Sequence, residues 1–146
     1  MTLLAFSRPF WPLFLHVLGA MTLFGSILAA VLATIAGVRR PAATAFRNAA
    51  YWAFVCGAPA FVVLRVGAQL IYNDEKGGYP GPDPTWVSIG FGVSDAGLLL
   101  LLACIGCAFW WRRSGSALGG RVVLGLGSAY MLLLALAWLA MSGKWD

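Results

Sequence analysis

The sequence predicts an all-α fold: an integral membrane four-helix bundle with both termini on the outer side. Three observations carry that reading. Of 146 residues, 61% are hydrophobic and only 10% are charged, and the mean hydropathy is +0.84, far from the balance of a soluble domain. Four apolar stretches, residues 12–38, 49–72, 86–111 and 122–141, are each long enough to cross a hydrocarbon core ~30 Å thick as a helix. The links after the first and third stretches carry Arg39, Arg40 and Arg47, and Arg112, Arg113 and Arg121, with no acid in either, which assigns both links to the cytoplasm. The links are too short to hold a second folded unit, so residues 1–146 are expected to form one transmembrane domain.

Span one, Pro12–Val38, has Gly19, Ser26, Ala29 or Ala30, Ala33 and Gly37 at three- to four-residue spacing. Such a stripe permits close helix approach in lipid. The small residues at Ala33–Gly37 imitate a signal-peptidase site, but the span is too long for a signal peptide. Span two, Ala49–Tyr72, contains Pro59, which removes a backbone donor and is expected to kink the helix. The following segment, Asn73–Thr85, is rich in Gly and Pro and reads as a turn-rich outer link. Span three, Trp86–Trp111, presents Gly90, Ser94 and Gly97 for packing, and span four, Val122–Met141, completes the bundle. Phe10, Trp11, Tyr51, Trp52, Tyr72, Trp86, Trp110, Trp111, Trp138 and Trp145 lie near span ends, where amphipathic rings anchor at the interface. On the outer side Arg8, Lys76 and Lys144 mix with Asp74, Glu75, Asp83 and Asp146. The net charge of +5 is thus a topology signal and leaves no basic surface for nucleic acid.

Two charges interrupt the apolar spans, Arg65 in span two and Asp95 in span three. Each costs about 2.5–3.5 kcal/mol at mid-bilayer on insertion scales, so they are expected to pair and to face the protein interior. With His16 and Gln69 they lie between about 5 and 13 Å from the outer ends of their spans at 1.5 Å per residue, which predicts an outer-leaflet polar cluster of His16, Arg65, Gln69 and Asp95. Two accounts of it stand side by side. In one it is a structural lock, with Gln69 and His16 satisfying leftover hydrogen-bonding groups. In the other it holds a cofactor or metal, or carries protons. The single histidine offers one axial ligand to haem, with Met21 or a second subunit's histidine as the other; a small quinone head group would also suit such a patch. Cys104 and Cys107 share a helical face, and Cys56 lies at similar depth. The three thiols suggest either a soft-metal site for Cu(I) or apolar packing. No phosphate loop, dinucleotide fingerprint, HExxH or nucleophile elbow occurs, and the chain reads as non-enzymatic.

The string His16-Val17-Leu18-Gly19-Ala20 with Gly25 after it resembles the opening helix of CopD-like copper-resistance membrane proteins and of small four-helix bacterial membrane proteins related to them. The resemblance covers the first span well and the remainder by layout. It implies that His16 is the functional position, and that copper handling or haem-linked redox work at the bacterial inner membrane is the activity; the lack of a second histidine and of an external methionine cluster departs from a copper transporter. The expected protein is therefore a multi-pass bacterial plasma-membrane bundle, self-associated or part of a larger complex. Its outer-leaflet cluster would bind a cofactor or metal or support transport; a structural accessory subunit and a copper or proton permease are the alternatives.

Overall fold

The computed structural model describes residues 10–42, 44–76 and 85–143. They form four helices: α1 (Phe10–Arg39), α2 (Thr44–Lys76), α3 (Thr85–Ser114) and α4 (Ala117–Gly143). All four are long and apolar enough to cross a membrane, and most of each apolar stretch faces outward from the bundle. Every helix extends beyond its predicted apolar span, because the polar ends continue the same backbone hydrogen bonding past the apolar limit. The expected link at Asn73–Thr85 is accordingly helical as far as Lys76, and residues 77–84, with Asp83, lie outside the described residues, as do Arg8, Lys144, Trp145 and Asp146. Helix α2 runs through Pro59 without interruption.

The helices form a ring in which each packs beside two neighbours, α1–α2–α3–α4 and back to α1. Close contacts show that all neighbours are antiparallel. His16 meets Gly67, and Gly37 and Gly120 sit beside the same Trp111 ring. Arg65 reaches Asp95, and Tyr130 packs on Gly97. Residues 10 and 143 are therefore at one end of the bundle, with His16, and the two arginine-bearing connections are at the other.

Glycine sets the closest approaches. A Cβ on Gly19 would collide with the Leu64 backbone, and one on Gly67 would lie 2.8 Å from the His16 Cα. The α1–α2 pair thus packs backbone to backbone along the stripe predicted for span one. That stripe is corrected in detail: Pro12, Gly19, Leu23, Ile27, Ala30, Thr34 and Gly37 are the buried positions of α1, Ser26 and Ala33 are half-buried, and Ala29, the alternative to Ala30, faces outward. In the core, Thr34 satisfies its hydroxyl by donating to the Ala30 carbonyl at 2.7 Å. At the arginine-bearing end the Trp111 indole sits in a socket of Gly37, Gly119 and Gly120, whose added Cβ atoms would lie 2.8–3.0 Å from its ring. Trp111 is only 2% exposed, so it is a core residue and not the interfacial anchor its position suggested. Three missing side chains create its place.

The α3–α4 turn is two residues long. Gly115, at φ 62°, takes the left-handed conformation that favours glycine, and its N–H donates to the Trp111 carbonyl at 2.8 Å to close α3. Ser116 then caps α4, accepting from the Gly119 N–H at 3.0 Å. Arg47 ties the two connections together: its Nη1 donates to the Pro41 carbonyl at 2.7 Å and lies against Gly115.

Candidate functional site

At the His16 end the four helices enclose a cavity of about 670 Å³, lined mostly by apolar side chains. Its seams differ. Between α2 and α3 it is shut by three contacts that share two side chains. The Arg65 guanidinium donates to Asp95 Oδ1 at 3.4 Å and lies 4.5 Å from the centre of the Phe91 ring, and Phe91 meets Tyr72 edge to face at 5.3 Å. Between α1 and α4 the close approaches made at glycine lie toward the other end, at Val31 with Gly127 and Val38 with Gly120. At the cavity this seam is edged by outward-exposed residues, Met21 and Phe24 of α1 and Ala135 and Trp138 of α4.

Four polar side chains define the chemistry inside. His16 lines the cavity, and its Nδ1 is 3.2 Å from the Leu64 carbonyl oxygen. A carbonyl only accepts, so Nδ1 carries the proton and neutral His16 keeps its lone pair on Nε2. Arg65 contributes a guanidinium already matched by Asp95. Ser94 and Tyr130 also line the cavity, and the buried hydroxyls of both have no hydrogen-bond partner. Tyr130 is 1% exposed. Unpaired buried hydroxyls cost about 1–3 kcal/mol each, and native structures carry few of them.

The structure thus brings together part of the cluster expected from sequence. His16 and Arg65 share the cavity, and Arg65 and Asp95 pair. The pair does not face the interior: the Asp95 side chain is 74% exposed and Arg65 33%, because residue 95 falls on the outward face of α3 and only the long arginine spans from the cavity wall to it. Gln69 does not join. It is exposed and donates to Asn73 Oδ1 at 3.0 Å, a partner one turn along its own helix. Met21 lines the cavity edge. The thiols differ in burial: Cys104 is in the core, Cys107 half-buried and Cys56 exposed. Among the described residues no three His, Cys, Asp or Glu side chains converge as a metal site.

Tyr130 is the residue that sequence reasoning missed. Its signal was its place, since a tyrosine deep within an apolar span, away from either end, needs a partner for its hydroxyl. Ser94 read only as a small packing residue beside Asp95.

No protein-family model, curated protein or solved structure matches the chain. The class defined by fold and site is a four-helix bundle, apolar on the outside, with an amphipathic cavity at one end.

Proposed function

We propose that this chain is a multi-pass protein of the bacterial plasma membrane that binds a small hydrophobic molecule, with its polar head against His16, Arg65, Ser94 and Tyr130. Two buried, unpartnered hydroxyls, on residues that line a cavity of about 670 Å³, carry the reading. Neither has a hydrogen-bond partner in the fold, and a small side-chain rotation toward the cavity would let acceptor atoms on an occupant satisfy both. The outward apolar surface of all four helices supports a bilayer as the surroundings. Six of the eight arginines lie at the two connections of one end with no acid among them, which supports a cytoplasmic location for that end and so a cavity in the outer leaflet and both termini outside.

Protein purified in mild detergent and extracted with organic solvent should release one organic molecule per chain, detectable by mass spectrometry. Protein without such a molecule, unchanged in thermal stability when lipid extract is added back, would leave a structural accessory subunit.

A haem-binding reading is favoured by one observation. A histidine whose Nδ1–H is held by a carbonyl presents Nε2 in the way that metal-ligating histidines do, and Met21 lines the same cavity. His16 would be the residue that holds haem iron there, and a Soret band in the purified protein decides between haem and a colourless ligand.

A further inference from the structure

Resting on this reading of the cavity as an intramembrane binding site, we infer that its occupant is a neutral lipophile with a carbonyl-bearing head, which enters sideways from the hydrocarbon between α1 and α4.

The route follows from the unequal seams. The α2–α3 side is closed by the Arg65–Asp95 pair and by Phe91, which touches both Arg65 and Tyr72. On the α1–α4 side, Met21 is 70% exposed and Trp138 73% exposed, yet both line the cavity. Side chains that belong to the cavity wall and to the outer surface at once mark an opening, and the surface there is apolar. A long apolar tail therefore remains in the bilayer while the head reaches Tyr130.

The head's charge follows from the lining. Arg65 is the one charged residue lining the cavity among the described residues, and its charge is met by Asp95 at 3.4 Å. The site is electrically balanced before anything binds. An anionic head would have to compete with Asp95 for the guanidinium and leave that carboxylate uncompensated, whereas a neutral head disturbs nothing. Its hydrogen-bonding pattern follows from the hydroxyls: Tyr130 Oη and Ser94 Oγ each bring a proton with no acceptor. Carbonyl oxygens supply acceptors without adding charge. Quinones and diacylglycerols both have such heads, and the test separates them.

Ligand-stripped protein in nanodiscs is titrated with four probes: a decyl-substituted 1,4-benzoquinone, dioleoylglycerol, phosphatidylglycerol, and tail-less duroquinone. Three substitutions are used: Tyr130→Phe and Ser94→Ala remove one hydroxyl each, and Ala135→Trp alters an exposed edge residue, so its replacement leaves the core intact. One of the two neutral tailed probes should bind at least ten-fold tighter than phosphatidylglycerol, and the preferred one names the source of the carbonyl. Tyr130→Phe should weaken that probe about thirty-fold or more, and Ser94→Ala at least five-fold. Ala135→Trp should slow its association about ten-fold. Tighter binding of phosphatidylglycerol would overturn the neutral head. Association of the decyl probe at the same rate in Ala135→Trp, or duroquinone binding as tightly as its decyl relative, would overturn entry from the bilayer while leaving the cavity as a binding site. Binding of none of the probes, with no molecule released on extraction, would overturn the cavity reading itself.

Discussion

Tyr130→Phe is expected to stabilise the empty protein and to impair the loaded one. The ring of Tyr130 packs on Gly97, where an added Cβ would lie 3.4 Å from Cε2 and 3.6 Å from Oη, so the phenyl group keeps its seat when the oxygen is lost. What disappears is a hydroxyl that is buried and unpartnered. Leaving such a group unsatisfied costs about 1–3 kcal/mol, and removing it from the ligand-free state should recover about 1–2 kcal/mol. With ligand bound, the same oxygen donates a hydrogen bond worth about 1 kcal/mol net, so the loaded protein should lose about that much, and the cycle puts the loss of affinity at about 2–3 kcal/mol, roughly thirty-fold or more. The two effects have opposite sign, which no simple packing defect produces. Reversible unfolding of stripped and loaded protein in detergent, followed by circular dichroism, measures both. A stripped Tyr130→Phe protein less stable than the native protein by 1 kcal/mol or more would show that the hydroxyl has a partner within the fold, and would remove the main ground for a ligand.

Three further outcomes follow from named contacts. Arg65→Gln should destabilise the bundle in lipid more than Asp95→Asn, because it strands an outward-facing carboxylate, 74% exposed, against an insertion cost of about 2.5–3.5 kcal/mol. The double variant should be milder than Arg65→Gln alone, and strictly additive losses in that cycle would refute the pairing. Gly19→Ala should cost about 3 kcal/mol, since the new methyl meets Leu64 backbone, which cannot step aside; Gly25→Ala, where nothing lies within 4 Å, should be neutral or stabilising by up to ~1 kcal/mol, and equal effects on thermal unfolding would contradict the α1–α2 approach. His16→Gln should cost about 1 kcal/mol through the contact with Leu64 while abolishing any bound haem; a Soret band that survives the change would exclude His16 as the ligand.

The helices were legible because apolar length and arginine placement are local properties, read residue by residue. Gly19, Gly37 and Gly97 were legible for a similar reason: small residues at helical spacing mark where backbones meet. Asp95 was half legible. Its bond to Arg65 follows from charge and depth, but its orientation depends on the rotation of α3 about its axis, and α3 has apolar residues on every side to choose from. Trp111 was misread because its burial depends on Gly119 and Gly120 across a turn and on Gly37 of another helix, and nothing in its own neighbourhood shows that socket. Tyr130 and Ser94 are found on different helices, and only the assembled ring shows that both residues line one cavity.

Along the α1–α4 seam the glycine approaches fall at Gly120 and Gly127, while Met21, Phe24, Ala135 and Trp138 edge the cavity. From Gly127 to Trp138 is 11 residues, about 16 Å of helix. A tilt of ~15° about Gly127 would move the tip of that arm by roughly 4 Å and would carry Tyr130 and its seat on Gly97 with it. On the proposed reading, the angle of the arm admits the tail while Tyr130 and Ser94 select the head, so a change in tail width and a change in head chemistry would be felt at different places in the bundle.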